Sequence, residues 1–158
     1  MKKPAIAILS ALTGAAFAAG TVKEISMNKT KKIQETSDKH LALYLMMNHW
    51  VKVKQEGKCL AEYFTKNGYR KIGIYGMSYV GKTLVEELKG TEVTIAYGID
   101  KNADSLYMDM DILTMDDDLD EVDAIVVTAV TFFNEIEEQL LEKIDCPILS
   151  LEDILYDV

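Results

Sequence analysis

Only two cysteines and two histidines occur in the 158 residues, and that scarcity removes several kinds of protein at once. Cys59 and Cys146 are far apart, form no C-x-x-C pair and sit in apolar contexts, so they read as buried thiols and not as a disulfide framework. Together with His40 and His49 they cannot make a zinc cluster, which needs four nitrogen or sulfur ligands at suitable spacing. Neither histidine has an obvious carboxylate or nucleophile beside it, so both read as surface or capping groups. Basic charge is also short: 17 Lys and Arg face 26 Asp and Glu, a formal net charge of -9. A fold of that balance repels polyanions and lacks the basic stripe of a nucleic-acid binder.

What is present is globular. Charged residues make up 27% and hydrophobic ones 49%, which excludes disorder as the main state. The length supports one domain with a real core and an appendage.

The appendage is N-terminal. Residues 4–22, "PAIAILSALTGAAFAAGTV", carry no charge, follow Lys2 and Lys3, and as a helix would span roughly 28 Å, close to one bilayer. Ala7, Ala11, Ala15 and Ala19 recur every fourth position, giving the small-residue face that lets membrane helices approach closely. Residues 1–22 are therefore expected to be a single-pass anchor in the cell membrane. Lys23, Lys29, Lys31 and Lys32 behind it favour a cytoplasmic location for the rest. The alternative is a signal peptide cleaved at Ala16-Phe17-Ala18 and a secreted product.

A helical linker over 23–56 follows. Ser37 is a plausible N-cap for an amphipathic helix over 38–56 that Gly57 stops. Its first half, with Leu41, Leu43, Tyr44, Leu45, Met46, Met47 and Trp50, has little polar surface and should be covered on more than one side, by the domain, a second copy or the membrane. The methionines read as core packing.

From residue 57 to 158 strands and helices alternate. Strands are expected over 71–75 (KIGIY), 92–99, 124–128 (AIVVT) and 147–151, with a weaker extended piece near Asp111-Ile112-Leu113. Helices are expected before Gly68, from Ser78 to Gly90, over 132–144 and over 152–157. This alternation implies a small, doubly wound, all-parallel α/β sheet with strand order 3-2-1-4-5. Ligands in such sheets settle beyond the carboxyl ends of the strands where the order reverses, here between the ends of the first and fourth core strands.

At that place stands "YGMSYVGKT", residues 75–83. From Gly76 it fits G-x-x-x-x-G-K-[ST], a P-loop, with Gly81, Lys82 and Thr83 in place. It equally fits G-x-[GS]-x-x-G, a dinucleotide fingerprint with Ser78 in place of the second glycine. The fillers Met77, Tyr79 and Val80 suit a helix better than a wrapping loop, and no aspartate ends the "AIVVT" strand to hold Mg²⁺. The dinucleotide reading also finds an acid, Asp100, about 24 positions past Gly76 at the end of the second strand, where a ribose-binding carboxylate belongs. Amides near Met77, Ser78 and Tyr79 would meet a phosphate, Gly81 would allow close helix–strand packing, and Thr128 would flank the ligand.

Two other patterns carry less. Tyr97-x-x-x-Lys101 has the spacing of a short-chain dehydrogenase pair but straddles a strand end. The acidic run of Asp116, Asp117, Asp118, Asp120, Glu121 and Asp123 lacks the glycine and terminal Glu of a calcium loop; it reads as a short helix capped by Thr114 with Asp117 completing the box.

The segments "YRKIGIYGMSYVGKTLVEEL", "YGIDKNAD", "DDDLDEVDAIVVT" and "CPILSLEDIL" together resemble the small Rossmann-like nucleotide-binding domains of bacterial surface-polysaccharide biosynthesis proteins. These are similar to the N-terminal domain of sugar acyltransferases and the CoA-binding-like domain of glycosylphosphotransferases. The resemblance covers roughly residues 57 to 156. It implies a domain that binds NAD(P), CoA or a nucleotide sugar, accessory or regulatory in polysaccharide assembly, with a homo-oligomer or an assembly protein as partner. No acyltransferase repeat or glycosyltransferase region accompanies it, and no catalytic constellation is visible, so a binding role and not an enzyme is expected. The alternatives are a ligand-free interaction module of a membrane complex and a small P-loop nucleotide hydrolase.

Overall fold

The computed structural model describes residues 3–158, with side chains from residue 29 onward. The chain divides into two compact units, Met1–Ala42 and Leu43–Val158. The elements are α1 (Lys3–Gln55), α2 (Leu60–Lys66), β1 (Lys71–Tyr75), α3 (Tyr79–Leu88), β2 (Thr94–Ile99), β3 (Ile112–Leu113), β4 (Ala124–Val127), α4 (Phe133–Leu141), β5 (Ile148–Ser150) and α5 (Leu151–Asp157).

The first unit is helix throughout its described length. The expected anchor over 4–22 lies outside the residues whose side chains are described; among the described residues no helix is long and apolar enough to cross a membrane. The helix expected to begin at a Ser37 N-cap does not begin there, because α1 runs through that position. Side chains of this stretch bond along the helix: Gln34 donates to Asp38 at 2.8 Å, Thr36 Oγ1 to the Lys32 carbonyl at 2.8 Å, and Lys31 faces Glu35 at 3.8 Å. Bonds at i,i+4 spacing support continued helix and leave Ser37 no end to cap. His40 is exposed.

The second unit is built on one five-stranded, all-parallel sheet of order β3-β2-β1-β4-β5, as the alternation implied. The period of two sorts its residues. Ile72 and Ile74 of β1 and Ala124 and Val126 of β4 face one way, into a cluster with Leu60 and Phe64 of α2, Val80, Leu84 and Leu88 of α3, and Leu151, Ile154 and Leu155 of α5. Met46, Trp50 and Val53, from the end of α1, belong to the same cluster, upstream of residue 57. Met46 and Met47 are thus packing groups. Ile125, Val127, Tyr97 and Ile99 face the other way, against Ile136 and Leu140 of α4. Burying both faces explains why β4 reads as an unbroken apolar run.

The crossover from β3 to β4 makes a turn where a short helix was expected. Asp117 accepts bonds from the Thr114 N–H (2.7 Å) and hydroxyl (2.8 Å), so the box forms, but no helix follows it. A helix here would stack Asp116 over Asp120 and Asp117 over Glu121, like charges at i,i+4.

Asp123 closes the other end of this crossover. Its Oδ2 accepts the N–H groups of Arg70 and Lys71, both at 2.7 Å, where β1 begins. These two main-chain bonds hold its carboxyl below the usual aspartate range. A carboxylate lowered on folding contributes stability that is complete above its unfolded value near 4 and is lost as pH falls through the folded value. The urea midpoint should therefore drop as pH falls below about 5, and Asp123→Asn should flatten that acid limb while lowering the midpoint at neutral pH. An unchanged acid limb in the variant would assign it to other carboxylates.

Candidate functional site

The strand order brings the residues singled out at Gly76, Asp100 and Thr128 to one end of the sheet. Gly76 leaves β1 with φ at +93°, a left-handed conformation that favours glycine, and its N–H donates to the Ile99 carbonyl at 2.8 Å. A side chain there would meet the Thr128 hydroxyl at 2.8 Å. That hydroxyl bonds the Gly76 carbonyl at 2.6 Å and lies 3.1 Å from the Tyr75 carbonyl. Thr128 is buried and turned inward, so its hydroxyl proton fixes the bend and is not free for a ligand.

Asp100 reaches the bend directly. Its Oδ2 accepts the Met77 N–H at 2.9 Å, and its Oδ1 accepts the Asn102 N–H at 2.9 Å, with the Asn102 amide side chain at 3.4 Å. Strand pairing supports the placement, since the Asp100 N–H donates to the Leu113 carbonyl at 2.9 Å. Asp100 also adds to burial in pushing the Tyr75 phenol upward. Each carboxylate oxygen carries two acceptor sites, so Asp100 can still take a hydroxyl.

Met77 is fully buried and points beneath the bend. A Cβ on Gly98 would lie 2.8 Å from its Cγ and Sδ, so Gly98 is what lets Met77 lie against β2. Gly98 and Asn102 are site residues that the motif alone did not single out; the offset of Gly98, two before the acid, is their only sequence trace. Ser78 is exposed and stands as N-cap without a capping bond from its own hydroxyl. Tyr79 is 91% exposed and leaves the bend unobstructed. Among the described residues the N–H groups of Ser78, Tyr79, Val80 and Gly81 find no acceptor, as in any open helix start. Gly81 is buried against the bend: a Cβ there would lie 2.1 Å from the Gly76 carbonyl oxygen.

Helix α3 begins at Tyr79, so Gly81 and Lys82 already lie in its first turn and only Gly76–Ser78 remain as loop. That is a short bend and not a wrapping one. Thr83 Oγ1 donates back to the Tyr79 carbonyl at 2.9 Å, away from any metal position.

The remaining candidates disperse. Tyr97 is buried, its ring over Gly73 and its hydroxyl donating to the Asp120 carbonyl at 2.8 Å, and burial pushes it up to about 12; Lys101 is exposed, and the two make no proton-transfer pair. His49 Nε2 lies 2.9 Å from the Leu155 carbonyl with its ring stacked on Tyr156. Cys59 and Cys146 are half-buried free thiols, less enclosed than expected. Burial pushes the Cys146 thiol upward, away from thiolate reactivity. Among the described residues no group of His, Cys, Asp and Glu could hold a metal ion. Comparison with protein-family models, curated proteins and solved structures finds no match to this chain.

Proposed function

We propose that the unit Leu43–Val158 binds a nucleotide-type small molecule over the bend at Gly76, as an accessory or regulatory component of cell-envelope polysaccharide assembly. The observation that carries this is the Asp100–Met77 bond: an acid at the end of β2 meets an amide of the Gly76–Ser78 bend that leads into α3. Above that junction the free first-turn amides supply donors and the positive end of α3 for a phosphate. The unused acceptor sites of Asp100 supply partners for ribose hydroxyls, and Ser78 and Tyr79 form the exposed rim. NAD(P), CoA and nucleotide sugars share this chemistry. Resemblance to the small domains of polysaccharide biosynthesis proteins supports the setting. The uncharged 4–22 stretch supports attachment to the cell membrane with the domain on the cytoplasmic side.

The test is a thermal-shift series on the full chain in detergent with NAD(H), NADP(H), CoA and UDP-sugars at millimolar concentration. One of them should raise the melting temperature, by an amount equivalent to about 2.7 kcal/mol when present at about 100 times its Kd. Ser78→Phe, which fills the rim without touching the core, should abolish the gain. No shift with any of the four would overturn the proposal.

A second reading rests on the same residue. Both Asp100 oxygens already accept main-chain N–H groups, which favours a bend closed on itself in an interaction module without a ligand. That reading expects no shift in the series above, and crosslinks in membranes that vanish when residues 1–42, the first compact unit, are removed.

A further inference from the structure

The last turns of α1 carry two apolar faces, and one of them is covered. Met46, Trp50 and Val53 lie in the core cluster, and between them His49 Nε2 sits 2.9 Å from the Leu155 carbonyl. The other face is bare. At roughly 100° per residue, Tyr44, Asn48 and Val51 project opposite Trp50 and Val53. In the sequence the same three-four spacing starts at Leu41 and ends at Gln55. Leu41, Tyr44, Leu45 and Val51 are between half and two-thirds exposed, and Asn48 and Gln55 are exposed as well.

This is the spacing of a helix-pairing seam. Leu41, Asn48 and Gln55 stand at heptad positions a, Tyr44 and Val51 at d, and Leu45 and Met47 flank them at e and g. A lipid surface imposes no such spacing and disfavours an amide in the middle of the stripe. A single asparagine at a is the device that fixes two parallel strands in register: the amides pair with each other, and an apolar neighbour would leave them unsatisfied. A second copy of the chain places an amide at the same height by symmetry. The flanking g-to-e contacts would then be His40 with Leu45 and Met47 with Lys52, so no like charges meet.

We infer that the bare face of α1 from Leu41 to Val51 is a dimerisation seam, occupied by the same face of a second copy, parallel and in register. Its exposed side chains offer roughly 500 Å² per copy, so a pair buries about 1,000 Å², the lower limit for a specific interface. Two heptads are too few for helices that must fold as they associate. Here docking of Met46, Trp50 and Val53 has already ordered the helix, which removes that cost. The seam is independent of what binds at the Gly76 bend.

Sedimentation equilibrium of the full chain in density-matched detergent tests this, and a reversible dimer is expected. Tyr44→Lys and Val51→Lys each set like charges across the seam and should raise the dimer Kd at least about tenfold. Both positions are exposed, so the variant monomers should keep the circular dichroism of the parent. Asn48→Ile should tighten association and admit species larger than a dimer, because asparagine at a limits strand number at a cost in stability. In a background of Cys59→Ser and Cys146→Ser, Asn48→Cys should oxidise to a disulfide-linked dimer, whereas Lys101→Cys, exposed elsewhere, should not. A chain monomeric at every concentration, a dimer indifferent to both lysine variants, or Asn48→Cys that links in membranes only to another polypeptide would overturn the inference. So would loss of vesicle binding in Tyr44→Lys without a change of mass, which would assign the face to lipid.

Discussion

Replacing Gly81 by alanine should destabilise the domain by about 3 kcal/mol or more, beyond the 1–3 kcal/mol usual for one overpacked methyl group. The added carbon would lie 2.1 Å from the carbonyl oxygen of Gly76 and 3.1 Å from its carbonyl carbon, both backbone atoms. Neither can swing aside as a flexible side chain would. The Gly76 N–H is tied to Ile99 and its carbonyl to the Thr128 hydroxyl, so relief requires breaking the bend or lifting α3 from β1. Lys82→Ala, one position on and exposed, should shift stability by no more than about 0.5 kcal/mol. Urea unfolding of the pair separates the two; equal midpoints would show that α3 packs against β1 less closely than the structure has it.

The second large effect is expected at Trp50→Ala, at about 3–5 kcal/mol, the range for deleting a buried aromatic side chain. Trp50 is 3% exposed and lies in the same apolar cluster as Phe64 and Leu84. Its neighbours in sequence, Met46 and Val53, are buried there too. A chain that starts at residue 57 removes all three and opens the part of the cluster they fill. It should unfold at lower urea than Trp50→Ala itself. A truncated chain as stable as the intact one would show that the end of α1 contributes nothing to the core.

These two sites also mark what the sequence made visible and what it hid. Gly81 was legible because a fingerprint is a statement about backbone: a strand, a positive-φ turn and a helix packed too closely for a side chain leave a fixed spacing of residue types. The five strands were legible because each is an apolar run bounded by polar residues or glycine, and β4 is buried on both faces. The partners of the bend were not. Which atom accepts the Met77 N–H depends on where β2 ends against β1, and that register includes an irregularity between Ile72 and Gly73 that no local pattern encodes. The role of α1 was hidden for a different reason. Ser37 has the chemistry of a cap, but the i,i+4 bonds around it keep the helix going, and competition between two local options is decided by energies too small to read from residue types. The Thr114–Asp117 box likewise formed its hydrogen bonds without the helix such a box normally starts.

The pairing pattern also bears on how the chain emerges from a ribosome. β1 pairs with β2 and with β4, and β4 lies beyond residue 123. Until β4 has emerged, one flank of β1 is bare and the apolar surface of Ile72 and Ile74 lacks its neighbours from β4. An unpaired strand flank of that kind is a template for pairing with another chain. The acidic crossover from Thr114 to Asp123 precedes the strand that covers this edge, so its negative charge emerges first.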